Sequence, residues 1–267
     1  MPKLSATMLT CNSERTVEAA LKSLAFADEI VVIDSGSTDS TLDIVRNYTD
    51  KVFSRDWTGM EDQYNYAQDK CSFDWVFGLD SDEDVPEGLA LEIKQTIERQ
   101  DEASADRKCW GFEMQRRTFF LNRWIRHGSW VPDRITRLYH KDHGRWEGNP
   151  HCGVKVHGKI GVLTSYVYHY SYTGISDQLK RLDRYSSDIQ DSYARNHKSF
   201  SVVNLLLNPM ACFIKEYFLK RGFMDGIPGL VIAFNDSCYV FNKYAKLWER
   251  KHCNPEKVAD SKQRNRP

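Results

Sequence analysis

The sequence predicts a mostly parallel, doubly wound α/β sheet followed by a helical C-terminal extension. Three observations predict it. Short runs rich in β-branched residues alternate with helically spaced apolar residues through the first half, and each run ends in a polar or acidic turn. From Ser176 onward only helical spacing remains. The expected division is an α/β domain over residues 1–172 and a helical region over residues 173–267.

Leu4 to Leu9 is the first expected strand, and Asn12-Ser13-Glu14 offers a helix cap before Val17, Ala20, Leu21 and Leu24. Glu29 to Asp34 is the second strand. The turn Ser35-Gly36-Ser37-Thr38-Asp39 then leads into a helix carrying Leu42, Val45 and Tyr48. Lys51-Val52-Phe53 is a short third strand. A helix over Gln63 to Cys71 precedes a fourth, Trp75 to Leu79, which ends in Asp80-Ser81-Asp82-Glu83-Asp84 before a helix starting near Pro86. Arg134 to His140 is a further strand. Leu179, Leu182, Tyr185, Ile189 and Tyr193 share one helical face, and two more helical stretches precede a polar tail.

The chain has 267 residues, with 37 Lys and Arg against 37 Asp and Glu, so no overall field exists to hold a polyanion, and a nucleic-acid partner is not expected. The charge is unevenly spread. Asp28 to Asp106 is strongly acidic, suited to a cation, and Arg107 to Glu147 is strongly basic, suited to an anion. The seven cysteines are scattered and never spaced C-x-x-C, which reads as reduced thiols in the cytoplasm. Leu4 to Leu9 is too short for the core of a signal peptide. Ile227 to Phe234 falls short of the ~20 apolar residues of a spanning helix, so no crossing of a membrane is expected.

In doubly wound sheets ligands bind at the carboxyl ends of the strands, which directs attention to Thr10, Asn12, Asp34, Asp39, Asp80 and Asp82. Asp80-x-Asp82 ends a buried strand where two carboxylates can converge. Unpaired carboxylates held so close repel, and Mg2+ or Mn2+ would relieve them while leaving positions for phosphates. An acidic turn capping the next helix is the plainer reading. Asp34, at a strand tip followed by small residues, can accept a hydrogen bond from a uracil N–H or from ribose hydroxyls.

These segments carry a resemblance. Val31-Val32-Ile33-Asp34-Ser35-Gly36-Ser37-Thr38-Asp39, Thr10-Cys11-Asn12-Ser13-Glu14 and Leu79-Asp80-Ser81-Asp82-Glu83 resemble, in order and spacing, the three N-terminal motifs of family-2 glycosyltransferases of the GT-A fold. Trp57-Thr58-Gly59 through Gln63-Tyr64-Asn65-Tyr66-Ala67 is similar to a signature of the bacterial branch that adds glucose to the lipopolysaccharide inner core. So are Asn208-Pro209, Leu219 to Leu230 and Lys243 to Glu249. The resemblance spans nearly the whole chain. It implies an inverting single displacement from a UDP-sugar, with glucose from UDP-glucose going to the inner-core heptose. Thr10, Asn12, Glu14, Asp34, Gln63 and Asn65 would line the nucleotide site, Asp80 would touch ribose or metal, and Asp82 would hold the metal on the diphosphate.

Direct displacement needs a general base, and a carboxylate is usual in this fold. Glu147 in Trp146-Glu147-Gly148-Asn149-Pro150-His151 is the candidate, with Trp146 expected to desolvate it and stack on a sugar. Relatives tend to end this segment in a His-Glu pair, whereas here Cys152 follows His151. His151 is a candidate third metal ligand, or a packed histidine. Of the arginines between the metal motif and Glu147, Arg134 and Arg137 are expected to meet an anionic glycolipid acceptor, the others being solvated charges.

Over Val240 to Arg250 an apolar arc opposes a mainly cationic one, Cys212 to Met224 is apolar nearly all round, and basic residues are in excess beyond Lys243. Peripheral attachment to the cytoplasmic face of the inner membrane is the expectation, with packing of these helices on the catalytic domain as its alternative. The competing functions are transfer to a polyprenyl phosphate or another glycan, and a non-catalytic nucleotide-sugar or glycan-binding module. A phosphatase with an Asp-x-Asp nucleophile would need a Gly-Thr that Glu83-Asp84 replaces.

Overall fold

The structure, a computed structural model, describes residues 2–104, 106–148, 152–196 and 198–253. The first half alternates β1 (Leu4–Thr10), α1 (Val17–Ser23), β2 (Glu29–Asp34), α2 (Thr41–Val45), β3 (Val52–Ser54), α3 (Met60–Asp69) and β4 (Trp75–Asp80). Next come β5 (Glu83–Asp84), α4 (Glu87–Glu102), β6 (Gly111–Phe120), β7 (Arg123–Trp124), β8 (Asp133–His140), β9 (Gly144–Glu147), β10 (Gly153–Val156) and β11 (Ile160–His169). The helices α5 (Ile175–Arg195), α6 (Val202–Ile214) and α7 (Gly226–His252) follow. Two compact units result, Met1–Phe119 with Pro132–Ser171 and Phe120–Val131 with Tyr172–Pro267. The expected break near residue 172 thus has a companion, because Phe120–Val131 belongs to the later unit.

The main sheet runs β3-β2-β1-β4-β8-β6-β11-β5. Its first four strands are parallel, as the strand–helix alternation predicts. β8 then pairs antiparallel to both β4 and β6, β11 parallel to β6, and β5 antiparallel to β11. β9 and β10 form a separate antiparallel pair. This is the mostly parallel mixed sheet flanked by helices of the GT-A fold.

Both faces of the parallel half are covered, which is why β1 is an almost unbroken buried run. Leu4, Ala6 and Met8 pack with Val17, Ala20, Leu21 and Leu24 from α1 and its end, and with Leu89 and Ile93 of α4. On the other face Val31 and Ile33 pack with Tyr64 and Ala67 of α3 and with Trp146 of β9. α3 starts three residues earlier than its apolar spacing suggests, after Gly59 at φ 118°, a backbone state that side chains resist.

In the second unit Phe120, Ile125 and Ile232 form a small core. α7 lies against α5, where Asn235 Nδ2 donates to Gln178 Oε1 at 2.7 Å, Lys246 meets Asp183 and Arg250 meets Asp191. Tyr244 and Leu247 are buried. The arcs read over Val240 to Arg250 are therefore largely used within the unit, since their apolar centre is packed and two of their cations are paired. α6 continues through a wider turn to Leu219, and Val202–Leu219 is one helix of 18 residues, long and apolar enough by length and composition to cross a membrane. This run lies upstream of Ile227 to Phe234, the apolar stretch singled out in the sequence, and contains Asn204, Asn208, Lys215 and Glu216.

Candidate functional site

The parallel register sets the site. Thr10 lies opposite Asp34 and Leu9 opposite Asp80, so the ends of β1, β2 and β4 bring these side chains to one edge. The strand order reverses at β1, where β2 lies on one side and β4 on the other, and the loops beyond such a point leave a crevice for a ligand.

The first motif residues stitch the loops together. Asp34 is 1% exposed, and its carboxylate accepts hydrogen bonds from Thr10 Oγ1 at 3.0 Å, from the amides of Gly36 and Ser37 at 3.0 and 2.9 Å, and from Ser37 Oγ. It shapes the turn, in which Gly36 sits at φ 87°. Asn12, at φ 50°, accepts the Thr38 amide at 2.8 Å, and Glu14 accepts the Ser40 amide at 3.1 Å. Gln63 is fully buried and donates from Nε2 to the Asp56 carbonyl at 2.8 Å. Its Oε1 has no partner among the described residues.

Asp80 sits in a charge network that the sequence did not reveal. Tyr64 donates its hydroxyl to Oδ1 and Arg137 its guanidinium to Oδ2. Glu83, wholly buried, accepts from Arg116 at 3.1 Å and Arg137 at 3.4 Å, and also accepts the Asp80 amide at 3.1 Å. Arg116 continues to Asp133 at 2.7 Å. Burial pushes the Asp80 carboxyl up, but Arg137, the Tyr64 hydroxyl and Arg116 outweigh it and hold it below the usual carboxylate range. Burial likewise opposes the charge on Arg137, yet Asp80 and Glu83 keep it firmly protonated. Buried charges matched in this way are tolerated where a single unpaired one would not be.

This corrects two expectations. Arg137 is 5% exposed and holds Asp80, so it has no free face for an acceptor. The Asp80–Asp82 pair is not two naked carboxylates in need of a cation, because Asp80 is already neutralised. Asp82 is the open member. Its Oδ1 lies 3.6 Å from His169 Nε2, and the ring's other nitrogen is 3.3 Å from Thr118 Oγ1. The antiparallel pairing of β11 with β5 sets His169 opposite Glu83, one residue past Asp82. Among the described residues no group of three or more His, Cys, Asp or Glu is placed to hold a metal. A hard cation arriving on a diphosphate needs only one or two protein carboxylates, however, and Asp82 with His169 beside it fits that demand. His151 lies outside the described residues.

The segment before it is held from α3. Asn65 clamps the Trp146 backbone, donating to its carbonyl at 2.9 Å and accepting its amide at 3.0 Å. Trp146 is 2% exposed and stacks on Tyr64 with ring centroids 3.9 Å apart, while its indole donates to Tyr139 at 3.0 Å. Its ring belongs to the core and is closed to a sugar. The Cβ that Gly78 lacks would stand 3.1 Å from that ring, so the fourth strand must be smooth there. Glu147, next along, is exposed and paired to Lys155 at 3.1 Å. A cavity of about 260 Å³ adjoins this segment, lined among others by Gly59, Glu61, Asn65, Gly148 and Cys152. Arg134 is exposed, 4.0 Å from Glu113.

The residues that sequence reasoning missed are Tyr64, Glu83, Arg116 and His169. The first three lie inside stretches already singled out, but nothing in their spacing assigns them a partner. His169 carried no signal, since only strand pairing brings it beside Asp82.

The chain is similar to several known proteins. A glycosyltransferase of lipopolysaccharide core biosynthesis, LpsC of Rhizobium meliloti, is 26% identical over 94% of this chain and 94% of its own. An uncharacterised glycosyltransferase of Rickettsia prowazekii is 28% identical over 92% of this chain and 87% of its own. Among solved structures, residues 1–349 of Staphylococcus aureus TarS superpose with a TM-score of 0.46 at 18% identity, covering 94% of this chain and 92% of that one. The pattern of glycosyl transferase family 2 matches residues 5–161, which takes in the ends of β1, β2 and β4. The chain belongs to glycosyl transferase family 2 and is a glycosyltransferase.

Proposed function

We propose that this enzyme transfers a hexose, glucose from UDP-glucose, with inversion onto a heptose of the lipopolysaccharide inner core. The observation that carries the donor half is the meeting of Thr10, Asp34, Asp80 and Asp82 at one edge, with the loops beyond it tied by Asn12 and Glu14. The acceptor half rests on the resemblance of the whole chain to inner-core enzymes and on the 26% identity to a core-biosynthesis enzyme.

In this reading the acceptor hydroxyl oxygen attacks the anomeric carbon as the bond from that carbon to the diphosphate oxygen breaks, and UDP departs. Glu147 takes the hydroxyl proton, which requires Lys155 to release it as the acceptor enters. Asp82, with His169 beside it, would hold Mg2+ or Mn2+, whose charge would stabilise the leaving diphosphate. Arg137 and Tyr64 hold the Asp80 carboxylate and Glu83 holds its backbone amide, so the carboxylate is preorganised for ribose. The cavity beside Gly148 gives room for a sugar near Glu147.

The test is incubation of the purified chain with UDP-glucose and Mg2+ or Mn2+, with and without an inner-core acceptor. Slow UDP release, accelerated by acceptor and stopped by chelator, is expected. Glu147→Gln should lower kcat and keep UDP affinity. Turnover surviving in Glu147→Gln would move the base elsewhere. A core oligosaccharide lacking one hexose in a deletion strain would fix the acceptor, whereas an intact core would point to another glycan or a polyprenyl phosphate.

A further inference from the structure

α6 is the most apolar helix of the chain and also one of the least buried, with Pro209 its one buried residue. Val203, Leu206, Leu207, Met210 and Ile214 are all exposed. The chain then turns back through Arg221, at φ 59°, and Gly222 into α7. The turn is tightly built, since a Cβ on Gly229 would stand 2.0 Å from the Gly222 carbonyl oxygen. It too shows an apolar outside, for Phe218, Phe223 and Met224 are exposed, with Leu219 at 76% and Ile227 at 69%. An exposed apolar surface this continuous marks an interaction site.

The inner side of the same hairpin is polar and for the most part hydrogen-bonded. Asn208 Nδ2 donates to Tyr244 Oη at 2.7 Å and Ser237 Oγ to the Pro209 carbonyl at 2.7 Å. Glu216 is buried with Cys212 Sγ at 3.3 Å. Asp225 is buried against the amides of Arg126 and His127 at 2.9 and 2.7 Å. From Lys198 to Asn235 the only acids are Glu216 and Asp225, both buried, while Lys198, Lys215, Lys220 and Arg221 are exposed. Every exposed charge on this stretch is positive.

We infer that the outer face of α6 and the turn into α7 insert shallowly into an anionic phospholipid surface, with Lys215, Lys220 and Arg221 reaching the headgroup phosphates. Long cationic side chains can lay their stems on hydrocarbon and keep their heads at the phosphates. Charge selects this occupant. A second copy would bring like cations together with no exposed acid on the stretch to meet them, whereas an anionic leaflet complements them. The hairpin does not span the membrane, because its inner polar seam is committed to α7 and its tip carries two cations. This inference is independent of the donor and acceptor assignments.

The test is flotation of the full chain with phosphatidylglycerol-containing and with pure phosphatidylcholine vesicles, at low and high salt. Flotation with anionic vesicles at low salt is expected, falling about tenfold or more in Leu219→Glu with Ile227→Glu and also in Lys215→Glu with Lys220→Glu. Phe241→Ser with Trp248→Ser, on the later part of α7, should float like the wild type. Unchanged melting curves and unchanged UDP release from UDP-glucose would show that the variants keep their fold and catalytic unit. Flotation that ignores the first two variants, or that is lost only with the third, overturns the assignment. So do failure to float under all four conditions, a concentration-dependent dimer that Leu219→Glu dissolves, and retention in the bilayer after alkaline carbonate extraction.

Discussion

The end of β4 and the outer face of α6 solve opposite problems. At the first, charges are buried: Glu83 is wholly enclosed and Asp80 is engaged on both oxygens by Tyr64 and Arg137. At the second, large apolar side chains stand in the open. Burial of charge is tolerable where each carboxylate finds a guanidinium, and that matching fixes side chains to one geometry, as a reaction site needs. Exposure of hydrocarbon is tolerable where something apolar covers it. The first region matches its charges within the chain, and the second leaves its hydrocarbon open.

Breaking the buried network should produce the largest effect. Arg137→Met leaves two acids with one fewer counter-charge, and a loss of about 3–5 kcal/mol is expected from urea unfolding. A loss below about 1 kcal/mol would mean that water reaches the network and that Asp80 is not held rigidly. Asp82→Ala should act on rate instead. A fall of roughly 10²–10³ in kcat with an unchanged melting temperature is expected, since among the described residues Asp82 has only His169 as an ionic neighbour. A large drop in melting temperature would show Asp82 to be structural. Wild-type activity persisting in excess chelator would remove the metal from the reading.

A pH series sharpens the contrast within the second unit. Burial raises the carboxyl of Asp236 to about 7, helped by the neighbouring Glu216 and opposed by Ser129, whose hydroxyl donates to it at 2.9 Å. Between about pH 4 and 7 the folded chain then keeps a proton that the unfolded chain has released, so stability falls as pH rises through that window and levels off above it. Asp236→Asn should flatten this slope and add on the order of 2 kcal/mol at pH 8. Parallel wild-type and variant melting curves across pH 4.5–8 would contradict the raised value. The smallest effect belongs to α6, where Met210→Ser should change unfolding stability by less than about 0.5 kcal/mol. A larger loss would mean that the face is covered in solution.

The strand ends that meet at this edge were legible in the sequence. Thr10, Asp34, Asp80 and Asp82 are named by one rule, that ligands meet the carboxyl ends of parallel strands, and strand ends can be read from apolar periodicity. What a side chain does there was not legible. Asp34 looks available for a nucleoside but is committed to its own turn, and Trp146 looks available for a sugar but is pinned face to face with Tyr64. The first turns on donors within the loop itself, and the second on a ring 82 residues away in sequence.

The sequence by itself determined the alternation that builds β1 to β4 with their helices, the acidic strand ends and the helical character of the last third, because each is set by local spacing and local turn chemistry. Only the tertiary structure decided the rest. The parallel pairing of β11 with β6, the pairing of Arg137 and Arg116 with Asp80 and Glu83, and the arrival of His169 beside Asp82 all join segments dozens of residues apart. The same holds for the helices. Periodicity showed an apolar arc over Val240 to Arg250 and an almost wholly apolar Cys212 to Met224, but which residues would be packed and which left open depended on contacts such as those of α5, whose carboxylates pair with Lys246 and Arg250 while Lys215, Lys220 and Arg221 stay exposed.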